Sequence, residues 1–143
     1  MSFEDDLKAE FEAPAPTKDV DVILNGNLHT FRVTRMDGVE WASLTDMFPA
    51  RPGVMLDMRY GYNLRPLTLA AMAKSAQRVD GDNLVDLTED QWRNLFKSLA
   101  GAYIERFSDA VFLLNEHGPN DEVDKAKKAS VGAFGQKLSS PSN

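Results

Sequence analysis

Val20-Asp21-Val22-Ile23-Leu24-Asn25-Gly26-Asn27-Leu28-His29-Thr30-Phe31-Arg32-Val33-Thr34 is the stretch on which the fold class turns. Two β-prone runs flank Asn-Gly, the strongest short-range hairpin signal, because both central residues of the tight turn need positive φ. Pairing about that turn predicts a hairpin over residues 20–35. It places Val20, Val22 and Leu24 on one face with His29, Phe31 and Val33, and Asp21, Thr30, Arg32 and Thr34 mainly on the other. A lone hairpin is marginal in water, so its apolar face must be covered. The rest of the chain reads as helix. The expected fold is therefore α+β, mostly helical: an N-terminal β-hairpin packed on a bundle of about four helices, with flexible termini.

After the hairpin, Asp37-Gly38 turns the chain. Trp41, Leu44 and Phe48 at i, i+3, i+7 predict a helix over 39–48, closed by Pro49, Pro52 and Gly53. Residues 53–63 are ambiguous. Met55, Met58, Tyr60 and Tyr62 suit either an adaptable partner-facing surface or closure of the core. Pro66 fits the first turn of a helix over 64–77, which is apolar around much of its circumference and so central. Asp80-Gly81-Asp82-Asn83 reads as a solvated turn; a calcium loop is excluded because Gln91 stands where its closing Glu belongs. Thr88-Glu89-Asp90-Gln91 is a capping box. It opens a stripe of Trp92, Leu95, Phe96, Leu99, Tyr103, Phe107, Ala110, Val111 and Leu114. Unbroken, that helix runs over 88–116 for roughly 43 Å, and Gly101 is where it would bend or split. His117-Gly118-Pro119 predicts its end, with His117 as cationic partner of the helix dipole. A short helix follows over 121–129. Ile104, Phe112 and Leu113 lie off the main stripe, which leaves a deep core and a second contact surface both open.

The charge is unevenly placed. The chain has 143 residues and a formal net charge of -6. Seven acids and two bases fall in residues 1–21, so the remainder is nearly neutral. Residues 1–18 read as a flexible acidic arm with a stiff Ala13-Pro14-Ala15-Pro16 tether. Phe3, Leu7 and Phe11 share one face if the arm becomes helical; it is either a frayed terminus or an arm that orders on a partner. Residues 19–128 form the single globular domain. Residues 130–143 are Gly/Ser-rich without periodicity, the signature of a flexible tail.

The acidic balance (pI ≈ 4.9) argues against nucleic-acid binding, which needs a cationic face. No apolar run is long enough for a membrane span, and the acidic opening residues lack the basic region of a secretory signal. With no cysteine and two isolated histidines, His29 and His117, no metal or cofactor site is expected. No Gly-x-Ser-x-Gly elbow or Gly-rich phosphate loop occurs, so no catalytic residue is assigned. The enzyme alternative is a small hydrolase with an Asp/His site assembled in space, in which His29, Asp57 and a serine would converge.

Several segments carry a family resemblance: the acidic arm Phe3-Glu4-Asp5-Asp6-Leu7-Lys8-Ala9-Glu10-Phe11, the strand opening Asp19-Val20-Asp21-Val22-Ile23-Leu24, the Leu87-Thr88-Glu89-Asp90-Gln91-Trp92 helix start, the Leu113-Leu114-Asn115 exit and the Ser139-Ser140-Pro141-Ser142 end. Together this layout resembles the tail assembly chaperones of long-tailed phages infecting actinobacteria, in their short, non-frameshifted form. The resemblance implies a non-enzymatic protein that binds and solubilises the tape measure protein during tail morphogenesis. It also implies a frameshifted longer form as companion, residence in the host cytoplasm and absence from the mature virion. Self-association is a further expectation. An acidic coat would keep such an assembly dispersed, and apolar strips on a helical partner can cover a long client helix. Trp92, Phe96, Ile104 and Phe112, with Phe3 and Phe11 of the arm, are the expected partner-binding residues. The alternatives are a structural head–tail or tail component retained in the virion and a regulatory adaptor of a bacterial cell.

Overall fold

Asn25 and Gly26 both take positive φ, 50° and 77°. Their turn joins β1 (Thr17–Leu24) to β2 (Asn27–Thr34) in the computed structural model, which describes residues 2–139. The register sets Val20 opposite Phe31 and Val22 opposite His29. Val20, Val22, Phe31 and Val33 are buried. The opposite face is polar: Arg32 donates to both oxygens of Asp19 at 2.8 and 3.2 Å, and the Thr30 hydroxyl donates to Asp21 at 2.6 Å. Face assignment thus follows directly from alternation about the turn.

A second pair of strands extends this hairpin and was not expected. β3 (Ala76–Asp80) pairs antiparallel with β2, and β4 (Asn83–Val85) with β3, giving a four-stranded sheet of order β1-β2-β3-β4. The Asp80–Asn83 stretch is a turn as expected, with Gly81 at φ 60°, but it closes a hairpin. Ala76-Gln77-Arg78-Val79-Asp80 has too little apolar alternation to announce a strand; pairing with β2 supplies what its own sequence lacks.

Three helices lie between β2 and β3: α2 (Gly38–Met47), α3 (Met55–Tyr60) and α4 (Leu64–Ser75). The last is two residues shorter than expected because Ala76 already has extended backbone and belongs to β3. After β4 come α5 (Glu89–Ser98), α6 (Gly101–Phe112), a π-helical turn over Leu113–His117 and α7 (Gly118–Ser139). α1 (Phe3–Glu12) precedes the sheet, so the arm is helical in this structure, capped by the Ser2 hydroxyl. α4 and α6 cover the apolar face of the sheet. Among the described residues no helix is long and apolar enough to cross a membrane.

The expected single helix over 88–116 is two. The capping box forms as read, with the Thr88 hydroxyl accepting from Gln91 N–H and the Gln91 side chain accepting from Thr88 N–H. Leu99 and Ala100 then have extended backbone (ψ 143° and 147°). The break lets α5 and α6 each turn their apolar stripe onto the core, which a straight rod would not allow. Gly101, a poor helix former, starts α6.

The expected stop at His117-Gly118-Pro119 is also corrected. The π-helical turn carries α6 into α7 without a C-cap, and the helix expected over 121–129 extends from Gly118 to Ser139. Residues 130–139, expected in the tail, are therefore helical; residues 140–143 lie outside the described part. The reason is local. A Cβ at Gly118 would sit 2.7 Å from the Leu113 carbonyl oxygen, so glycine gives the widened turn its clearance and does not terminate it. Pro119 follows at once; having no N–H, it withholds one backbone hydrogen bond at the junction where the widened turn passes into α7. His117 stacks on Phe112 at 6.1 Å and does not cap a helix end.

Trp92 is the largest fully buried side chain. It lies 5.3 Å from Phe31 and 5.8 Å from Phe107, ring centre to ring centre, joining α5, β2 and α6. This corrects its expected role: a side chain with no exposed surface cannot meet a partner. The ambiguous stretch 53–63 divides. Tyr62 closes the core against Trp41 at 5.4 Å, whereas Met55 and Met58 are exposed.

Candidate functional site

α4 enters at Leu64 with Pro66 in its first turn, and its inner flank (Leu67, Ala71, Met72) is fully buried. The two hydroxyls at its contact with α6, Thr68 and Ser108, share a 3.0 Å hydrogen bond, and Thr68 also donates to Leu64 O at 2.8 Å. Satisfying both inside the helix pair allows a close, dry contact. Above it, the outer flanks of α4 and α6 diverge.

The divergence opens a trough of about 710 Å³. Leu64 and Ser108 lie at its base, Leu69, Phe96 and Ile104 along its walls, and Leu56 and Tyr60 of α3 close one side. Arg65, Glu105 and Asp109 stand at the rim. Over Pro66 and Leu69 the surface continues into a smaller recess of about 280 Å³ against Phe48, Ala70, Glu89 and Arg93. Phe96 and Ile104 are half-buried against the core and half open to this trough. An apolar floor with charges of both signs at the edge suits an amphipathic segment, whose apolar face would be desolvated while the rim sets its orientation.

The expected partner-binding residues are therefore not one surface. Phe96 and Ile104 meet in the trough. Phe112 lies on another flank of α6, 4.8 Å from Tyr60, and lines a separate recess of about 600 Å³ beside Asp19 and Asp21 of the edge strand β1. Trp92 is core. Phe3 and Phe11 are exposed on α1 and line neither recess. Leu56, Pro66 and Leu69, which form the other wall, were missed, whereas Tyr60 beside them is one of the residues for which a partner-facing surface and the core were both open. The apolar excess around the circumference of the helix over 64–77 was the available signal, because a helix has more apolar flank than one core contact uses.

Two polar groups hold the α3 side of the trough. Asp57 is buried and accepts from Arg51 three times: from the main-chain N–H and Nε at 2.8 Å and from Nη2 at 3.1 Å. These hydrogen bonds hold its carboxyl below the ordinary carboxylate range against the opposing effect of burial. Both its oxygens are committed to Arg51, so Asp57 is a structural anion and not an idle base. His29 lines neither recess, and the convergence of His29, Asp57 and a serine that a hydrolase would need does not form in either. The Tyr62 hydroxyl is buried without a hydrogen-bond partner among the described residues. Burial, aided by the Glu116 charge, pushes its acidity far toward the alkaline side. Glu116 itself accepts from Trp41 Nε1 at 2.6 Å, tying α2 to the π-helical turn. No known protein family, curated protein or solved structure matches this chain.

Proposed function

We propose that this chain is a non-enzymatic binding protein whose trough between α3–α4 and α5–α6 receives an amphipathic helix of a client polypeptide. The layout of the sequence, which resembles phage tail assembly chaperones, supports the tape measure protein as the client. The observation that carries the reading is the open apolar wall of Leu69, Phe96 and Ile104 on a domain that has already filled its core. Surface of this kind is costly to leave in water unless something covers it. A long helical client is aggregation-prone until its tail tube assembles, and a groove that covers its apolar face lowers that hazard. A frameshifted longer form would carry the same trough. Action belongs in the host cytoplasm, before the virion is complete.

Coexpression of the full chain with its tape measure protein tests this. The expected result is a soluble complex that Leu69→Asp or Ile104→Asp abolishes while each variant alone stays folded by circular dichroism. An insoluble client despite a soluble chain, or a complex indifferent to both substitutions, overturns the reading. Mass spectrometry of purified virions should not find the chain; stoichiometric amounts there would make it a structural component.

A further inference from the structure

β1 lies at an edge of the sheet, and among the described residues no strand pairs on its outer side. The direction of its main-chain groups follows from the ladder. Pro16 O accepts from Arg35 N at 2.9 Å, one step before the first strand pair, Thr17 opposite Thr34. Hydrogen-bonded pairs alternate along an antiparallel ladder, so Lys18, Val20, Val22 and Leu24 turn their N–H and C=O toward β2. Thr17, Asp19, Asp21 and Ile23 therefore aim theirs outward, and all four residues are exposed.

This edge is one wall of the recess of about 600 Å³. Residues 18–21 line it consecutively, from both faces of the pleat, as a strand met edge-on does. The other wall is one flank of α6 and the π-helical turn, formed by Arg106, Asp109, Ala110, Leu113 and His117. Ala110 and Leu113 make an apolar strip in the middle of that flank. Residues 106–117 extend over about 16 Å of helix, the length of about five residues of strand.

Outward N–H and C=O groups select the shape of the occupant. A helix has spent its own main chain internally and would leave them unpaired, whereas an extended segment answers them in register. Charge selects its sequence. In a second copy, the two longest antiparallel registers of β1 on itself would set Asp19 opposite Asp21, or Asp21 opposite Asp21, and like charges directly opposite repel. A strand with basic residues on that face meets both carboxylates favourably.

We propose that the edge of β1 receives an extended peptide segment of a partner protein as a fifth strand. Its alternate residues are apolar toward Ala110 and Leu113 and basic toward Asp19 and Asp21. The site lies on a different flank of α6 from the trough and does not depend on a helical client.

A labelled, end-blocked hexapeptide of alternating lysine and valine, titrated into the full chain, tests this by fluorescence anisotropy and amide hydrogen exchange. Saturable binding is expected. The amides of Asp19 and Asp21 should exchange freely in the chain alone and slow when the peptide is bound. The same peptide with glutamate in place of lysine should bind about tenfold more weakly or worse. N-methylation of one alternate set of peptide amides should abolish binding, and of the other set should spare it, because only one edge of the peptide meets β1. Asp21→Pro deletes an outward N–H at an edge position where proline is tolerated and should weaken binding about tenfold; Leu113→Asp should do the same. No binding at about 1 mM peptide, equal binding of the two methylated peptides, or equal binding of the glutamate peptide overturns the proposal. So do Asp19 and Asp21 amides already protected in the chain alone, which would give the edge to a second copy. The methylated peptides need no change in the protein, so a variant that fails to fold leaves the test intact.

Discussion

Tyr103, Phe107 and Val111 of α6 and Phe3, Leu7 and Phe11 of α1 have the same spacing, i, i+4, i+8, and opposite fates. Phe107 and Val111 are buried, with Phe107 5.6 Å from Phe31 and 5.5 Å from Phe96. The α1 trio lies in solvent. Periodicity specifies that a helix has an apolar face; it does not specify what covers that face. The neighbours make the difference. α6 follows a break that folds it onto a sheet with an apolar side, whereas α1 hangs from a proline tether, its end tied by the Glu10–Arg35 pair.

The sharpest way to break this comparison is to truncate both faces. Phe107→Ala or Trp92→Ala should destabilise the fold by about 3–5 kcal/mol, read as a lower urea midpoint. A loss under about 1 kcal/mol would mean that the core is not where the rings of β2, α5 and α6 meet. Gly118→Ala probes the joint between buried and exposed helix. The added Cβ meets the Leu113 carbonyl oxygen at 2.7 Å, so a cost of about 1–3 kcal/mol is expected, together with lower helix content if α7 detaches.

Titration separates the α3 anchor from both faces. Asp57 has a carboxyl held below the ordinary 3.8 by Arg51. Its contribution to stability is therefore fully present above that value and is lost as pH falls below it toward the folded value. Arg51→Met should weaken the fold at neutral pH and flatten the acid limb of stability against pH; an unchanged acid limb would show the pair to be idle. Tyr62 works in the other direction. Its acidity is displaced upward in the fold, so stability falls as pH rises above the ordinary value near 10. Tyr62→Phe removes an unpartnered hydroxyl, should gain up to about 1 kcal/mol at neutral pH and should remove the alkaline loss.

The smallest effect belongs to the exposed face. Phe3→Ala/Phe11→Ala should leave domain stability within about 0.5 kcal/mol, by the same urea assay at a concentration where the chain is monomeric. A larger loss would mean that α1 packs on its own domain.

Much of the hairpin was legible because Asn25-Gly26 fixes a turn and alternation fixes the faces on either side of it. The same holds for the Thr88–Gln91 capping box, a contact within one turn of chain. β3 was not legible, since Gln77 and Arg78 acquire strand geometry from pairing with Arg32 and Phe31, far away in sequence. The candidate site was half legible. Phe96 stood out on the main stripe of one long helical run and Ile104 just off it, but the opposite wall, Leu56, Tyr60 and Leu69, comes from elements that only packing brings beside them.

By itself the sequence determined what nearest neighbours along the chain decide: the tight turn, the capped helix start, the alternation of faces and the concentration of acid in the arm. These depend on φ preferences, single-turn hydrogen bonds and charge count, all local quantities. Tertiary structure alone decided which apolar faces were covered, why Trp92 went inward while Phe96 stayed half open, and why Gly118 continues a helix that its sequence context would end. Those outcomes depend on contacts between segments far apart in the chain and on whether a Cβ has room beside a particular carbonyl oxygen.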